Sequence, residues 1–155
     1  MDKPRNKNEF NNVASALSRQ AEHQPHTTAI HYPTRSSFSS GKYTSCSYLE
    51  LNELSDCYAR GLREYGIEAG TRTALMLTPG LDFLAIFFAM FKAGVVPVLI
   101  DPGIGMKPLK QCLAEASPKA FIGITKAQFA RKVLGWAKES CEQIITAGPK
   151  LGLGG

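Results

Sequence analysis

Residues 71–102 read TRTALMLTPGLDFLAIFFAMFKAGVVPVLIDP, and this stretch decides the fold. Ala74 to Leu77 is a short apolar run, broken by Thr78-Pro79-Gly80. Asp82 to Lys92 is apolar almost all round, and Gly94 supplies the stop. Val95 to Ile100 is a second apolar run, rich in β-branched residues and closed by Asp101-Pro102. Strand, helix and strand in that order, with a breaker at each joint, predict a βαβ crossover and so a parallel sheet covered on both faces. The near-continuous apolar stretch from Leu81 to Ile100 approaches the length of a membrane span, but Asp82, Lys92, Gly94 and Pro97 interrupt it. A buried helix followed by a buried strand is the reading.

Outward from this unit the punctuation continues. A helix is predicted from Phe10 to Glu22, with Phe10, Val13, Leu17 and Ala21 on one face and Gln24-Pro25 as its end. Ala29–Tyr32 and Tyr43–Tyr48 make a loose hairpin around a Ser/Gly-rich loop. Ser47 and Glu50 form an S-x-x-E capping box at the start of a helix whose stripe is Leu51, Leu54, Tyr58, Leu62 and Tyr65. Gly66 is its left-handed cap. Downstream come a helix over Leu109–Ala116, stopped by Ser117-Pro118, and a strand over Ala120–Ile124. A helix over Lys126–Trp136 then presents Phe129, Val133 and Trp136, and Gln143–Thr146 is a fourth parallel strand. Residues 1–9 read as a disordered N-terminus, 10–147 as one domain and 148–155 as a glycine-rich loop.

At 155 residues the chain can bury one core, and its 44% hydrophobic and 20% charged content is ordinary for a globular domain. The net charge of +5 is spread without a dense basic run, which argues against a nucleic-acid binder. Cys46, Cys57, Cys112 and Cys141 stand far apart, as reduced thiols of a cytoplasmic protein do. The first ten residues carry no apolar run of the kind a secretory signal needs.

Three glycine-rich places invite a phosphate reading. Ser39-Ser40-Gly41-Lys42 opens no helix and reads as a hairpin turn. Asp101-Pro-Gly-Ile-Gly-Met-Lys107 lies between strand and helix, where α/β sheets bind ligands. Pro108 falls where a third glycine would complete GxGxxG, so a tight turn competes with ligand contact by Gly103, Gly105 and Lys107. The C-terminal stretch has no helix behind it. His23, His26 and His31 lack companion ligands, Cys112 lacks a base, and Asp82 complements a helix dipole. From the residues alone, this is an α/β scaffold with no catalytic, cofactor-binding or metal-binding residue to name.

Two segments resemble signature motifs of the adenylate-forming (AMP-binding) ligase superfamily, which includes acyl-CoA synthetases and peptide-synthetase adenylation domains. Ser47-Tyr-Leu-Glu-Leu-Asn-Glu-Leu-Ser55 is similar to its T-Y-x-E-L…S helix start. Phe91-Lys-Ala-Gly-Val-Val-Pro-Val-Leu-Ile-Asp-Pro102 is similar to its L-K-A-G-x-x-x-V-P-x-D-P motif, with Leu99 in place of the usual proline. The continuation Gly103–Lys107, Cys112–Ala116, Ala120–Ile124 and Leu134-Gly-Trp136 resembles the β-lactone synthetase branch, which serves long-chain olefin biosynthesis.

The resemblance implies the N-terminal part of the large domain of an enzyme that uses ATP and Mg²⁺. A long-chain β-hydroxy acid would become an acyl-adenylate, and its own hydroxyl would then close a β-lactone, with AMP and pyrophosphate released. A long-chain fatty acid–CoA ligase is the alternative within the family, and a stand-alone α/β binding module the alternative outside it. Other enzymes of olefin biosynthesis are implied as partners; nucleic acid and a transmembrane segment are not. The family's Ser/Thr/Gly-rich ATP loop, aromatic-Thr-Glu segment, ribose-binding Asp and catalytic Lys have no counterpart in these residues. The chain would be roughly the first quarter to third of a full enzyme, with no ATP or Mg²⁺ expected on it alone.

Overall fold

The computed structural model describes residues 12–33 and 43–148. The expected disordered N-terminus, Phe10, the Ser39–Lys42 loop and most of the glycine-rich C-terminal stretch lie outside the described residues. The elements run α1 Val13–His23, β1 Thr28–Pro33, β2 Tyr43–Ser47, α2 Tyr48–Glu64, β3 Arg72–Met76, α3 Leu81–Lys92 and β4 Val96–Leu99. A short 3-10 turn at Pro102–Ile104 follows, then α4 Met106–Ala116, β5 Ala120–Gly123, α5 Thr125–Leu134 and β6 Gln143–Thr146. β1 and β2 form the expected antiparallel hairpin, Thr28 opposite Ser47 and Pro33 opposite Tyr43. The other four strands form one parallel sheet in the order β4-β3-β5-β6.

Side chains alternate across that sheet as the pleat requires. Leu75 and Ile122 point into a core shared with Ala59 and Leu62 of α2 and Ala89 and Met90 of α3. Ala74 and Phe121 point the other way, to Leu109 and Leu113 of α4, Ala127 of α5 and Trp136. The hairpin and α1 close over the outer side of α3 through Leu17, Cys46, Leu51 and Ala85. Within the chain itself α3 is therefore enclosed: of its 12 residues only Asp82 is exposed.

The capping box forms as read. The Glu50 amide donates to Ser47 Oγ at 3.3 Å, and the Ser47 amide donates to a Glu50 carboxylate oxygen at 2.8 Å. Gly66 and Gly94 take positive φ, +90° and +73°, at the ends of α2 and α3. α4 begins at Met106, three residues before the expected Leu109, because Pro108 falls in the first turn, where its missing N–H has no intrahelical partner to lose.

Two helix faces differ from expectation. In α1 the buried residues are Ala14, Leu17 and Ala21, while Val13 is 46% exposed. In α5 Phe129 and Val133 are 70% and 65% exposed. The inward residues are Ala127, Ala130 and Leu134. The cause is close approach to β5: a Cβ built on Gly123 would lie 3.2 Å from the Ala127 Cβ, so α5 turns small residues to the sheet. Gly135, at φ +66°, then ends the helix and returns Trp136 to the core, its amide bonded to the Arg131 carbonyl at 3.0 Å.

Gly123→Ala is expected to cost about 1–3 kcal/mol, since the added methyl would meet Phe121 Cε1 at 2.7 Å; urea unfolding midpoints check it. Ser47→Ala is expected to cost about 1 kcal/mol through the lost cap. Glu50 is held below the usual carboxylate range chiefly by the Ser47 amide and hydroxyl. Its contribution is therefore present above the ordinary Glu value and is lost as pH falls through the lowered one. Acid titration of stability should show that step in the wild type and not in Glu50→Gln.

Candidate functional site

The parallel sheet reverses its winding direction between β3 and β5, because β4 lies on one side of β3 while β5 and β6 lie on the other. In open α/β sheets ligands bind outside the carboxyl ends of the strands at such a reversal. A crevice of about 500 Å³ lies there. Leu77 to Asp82, the connection from β3 into α3, form one wall. Ile124 after β5 and Ala147-Gly148 after β6 form the floor, and Tyr32-Pro33 of the hairpin form the far side. Asp82, Ala147 and Gly148 also belong to a second groove, about 820 Å³, which runs along β6 beside α2 past Tyr58, Leu62, Tyr65 and Ile144.

The crevice is mainly apolar. Its polar groups among the described residues are the side chains of Tyr32 and Thr78, the backbone where α3 begins, and Asp82 in the first turn of α3. Gly80 caps α3 without a side-chain bond. Tyr58 Oη donates to Asp82 Oδ1 at 3.1 Å. Burial, and then the Asp82 charge and that hydrogen bond, push the Tyr58 phenol above its ordinary value. Tyr58 is thus a fixed donor at neutral pH, tying α2 to the rim of the site. Among the described residues nothing in this lining pairs a nucleophile with a base, and what they offer a ligand is a largely apolar wall.

The sequence pointed instead to the loop at Asp101–Lys107, and the structure places it elsewhere. It follows the edge strand β4, and none of its residues lines the crevice. Asp101 Oδ1 accepts from the Gly103 amide at 2.8 Å, Gly105 needs its φ of +86°, and Lys107 is exposed. A self-capped turn accounts for this stretch. Its neighbour, the Phe91–Ile100 motif, is built around the end of α3. Lys92 Nζ bonds Asn52 Oδ1 and Asp56 Oδ1, each at 2.8 Å, and the Asn52 carbonyl at 3.0 Å. Asn12 Nδ2 donates to the Phe91 carbonyl at 2.7 Å, and Arg63 to that of Lys92.

Cys46, Cys57, Cys112 and Cys141 are free thiols. Burial is the main cause that raises Cys46 and Cys141 above the ordinary thiol value. Cys112, read as structural, is exposed on α4. Among the described residues no group of three or more His, Cys, Asp or Glu could hold a metal ion, and no helix is long and apolar enough to cross a membrane. The crevice itself was not legible in the sequence. Its walls come from four separated segments, and the only local signal was the Thr78-Pro79-Gly80 break after a parallel strand.

Tyr58→Phe is expected to cost about 0.5–1.5 kcal/mol of stability through the lost bond to Asp82. In Asp82→Asn, absorbance titration should show one tyrosine ionising at lower pH than in the wild type. An unchanged tyrosine titration would contradict the pairing.

The AMP-binding enzyme family model matches residues 17–151. The olefin β-lactone synthetase of Stenotrophomonas maltophilia is 45% identical over 147 residues, covering 93% of this chain and 26% of that protein. The olefin β-lactone synthetase of Xanthomonas campestris pv. campestris is 47% identical over 146 residues, again 93% of this chain and 26% of that protein. The solved fatty acyl CoA synthetase of Mycobacterium tuberculosis superposes with a TM-score of 0.72 at 22% identity, over 88% of this chain and 26% of that one. That likeness carries the fold, which is the α/β arrangement expected. The chain spans about a quarter of the length of the curated relatives it matches, 26% of each. With a family model matching from Leu17 to Leu151, the chain belongs to the AMP-binding enzyme family.

Proposed function

We propose that this chain is the N-terminal lobe of an ATP-dependent, AMP-forming enzyme that converts long-chain β-hydroxy acids to β-lactones. The observation that carries this reading is the identity of 45% and 47%, over 93% of the chain, to two olefin β-lactone synthetases. The fatty acid–CoA ligase alternative rests on a structural likeness at 22% identity, which speaks to fold alone. The lobe would comprise residues 10–147, and the enzyme would work in the cytoplasm beside other enzymes of olefin biosynthesis.

The lobe's own residues fit a supporting role. Magnesium nucleotide calls for carboxylates toward the metal and cations or a glycine-rich amide cradle toward the phosphates. Among the described residues the crevice offers one carboxylate, Asp82, already engaged by Tyr58, and no Lys or Arg. The residues present do not fit that group, and no step of adenylation is assigned to them. What they contribute is a rigid apolar wall at the carboxyl ends of β3, β5 and β6, against which an acyl ligand and the rest of an enzyme can pack.

The purified 155-residue chain is expected to show no ATP–pyrophosphate exchange with fatty or β-hydroxy acids; robust exchange would overturn the supporting role. An enzyme carrying this lobe in frame is expected to yield lactone, AMP and pyrophosphate from a β-hydroxy acid and ATP. A CoA thioester in place of lactone, with coenzyme A present, would favour the ligase alternative.

A further inference from the structure

We propose that the layer formed by α4 and α5 is a peripheral docking surface for an anionic lipid bilayer. Between Met106 and Ser140 the chain carries seven Lys and Arg against two acids, Glu115 and Glu139, the second sharing a groove with Lys110 and Lys138, although the whole chain nets only +5. The basic residues are far apart in sequence, but α4 and α5 cover the same face of the sheet. Lys107, Lys110, Lys126, Lys132 and Lys138 are exposed, and the one ion pair among the described residues, Lys92 with Asp56, lies elsewhere.

In the middle of this charge α5 exposes Phe129 and Val133, and the start of α4 exposes Met106 at 65%. At about 100° per residue, Lys126, Phe129, Lys132 and Val133 share roughly a third of the circumference of α5. The inward arc is Ala127, Ala130 and Leu134. Large apolar side chains bracketed by lysines, on a helix with no acidic residue, are the composition of an interfacial helix. The apolar groups enter the headgroup boundary, and the lysine stems reach up to the phosphates.

Charge decides between occupants. A second copy of this face would bring like charge against like charge. A further domain packed over it would have to bring an acid to each lysine that it buried, since an unpaired buried charge is costly. A nucleic acid would meet Phe129 and Val133 where a backbone-tracking groove should be. This inference goes beyond the proposed reaction and does not depend on which product the enzyme releases.

Co-sedimentation of the full chain with vesicles tests it. Binding is expected to mixed phosphatidylcholine–phosphatidylglycerol vesicles, much weaker binding to pure phosphatidylcholine, and loss of binding as salt is raised. Lys126→Gln with Lys132→Gln should weaken vesicle affinity roughly 30-fold, as removal of two membrane-facing cations implies. Phe129→Ser with Val133→Ser should weaken it at least severalfold while the circular dichroism spectrum stays unchanged, since both residues are exposed. In Phe129→Trp, emission should shift to the blue when anionic vesicles are added. Equal binding to neutral vesicles, or an emission maximum that stays in place in the tryptophan variant, overturns the proposal. So does duplex DNA binding that the serine pair leaves intact while vesicles are ignored, or a serine pair that dissolves an oligomer without changing vesicle binding.

Discussion

Helix α3 has almost no polar surface to offer water, and the rest of the molecule is arranged around covering it. Ala85 lets Leu17 of α1, Cys46 of the hairpin and Leu51 of α2 lie close on one side, while Ile86, Ala89, Met90 and Ala93 share a core with the sheet and with Ala59 and Leu62 of α2. Such a helix has no preferred outer face, and its rotation must be fixed from its ends. At the C-terminal end Lys92 reaches back to Asn52 and Asp56 of α2, and Asn12 and Arg63 bond the last carbonyls. At the N-terminal end Asp82 is held by Tyr58. α2 supplies a partner at each end, which makes the α2–α3 pair the unit on which both the sheet and the crevice are hung.

That arrangement recasts the segment from Phe91 to Ile100. Its lysine is not an open cation awaiting a phosphate; it is 10% exposed and fully engaged by helix α2. Its glycine takes positive φ, and its carbonyl receives the Gly70 amide at 2.8 Å, closing the turn before β3 against the turn before β4. In this structure the segment's lysine and glycine both serve packing around the end of α3.

Legibility in the sequence follows from how local each cause is. The capping box, the Gly66 and Gly94 stops and the strand-helix-strand order of residues 71–102 are decided within a few residues, and they stand as read. The inward face of α5 is not local. Phe129 and Val133 make the larger apolar stripe by size, but Gly123 lets β5 approach closely at Ala127, so Ala127 and Ala130 turn inward together with Leu134. Side-chain volume at one position of a strand thus sets the rotation of the following helix. The crevice is less local still: Tyr32, Thr78, Ile124 and Ala147 meet only once the strand order is known, and pattern along the chain carries no strand order.

The two faces of the sheet then carry opposite solutions to one problem. Toward α2 and α3 the layer is sealed by the hairpin and α1, and the polar groups at its rim are paired, as with Lys92 and Asp56 or Tyr58 and Asp82. Toward α4 and α5 the layer is single, its lysines are free of ion pairs among the described residues, and two of its largest apolar side chains stand in solvent. A protein that only needed to stay dispersed would gain from the lysines and lose from Phe129 and Val133. Retaining both on one arc of α5 is consistent with a surface that must attract at a distance through charge and hold at contact through apolar insertion. The crevice lies apart from the α4–α5 surface, at the carboxyl ends of the strands, and is lined by the β3–α3 connection, the hairpin and the residues that follow β5 and β6.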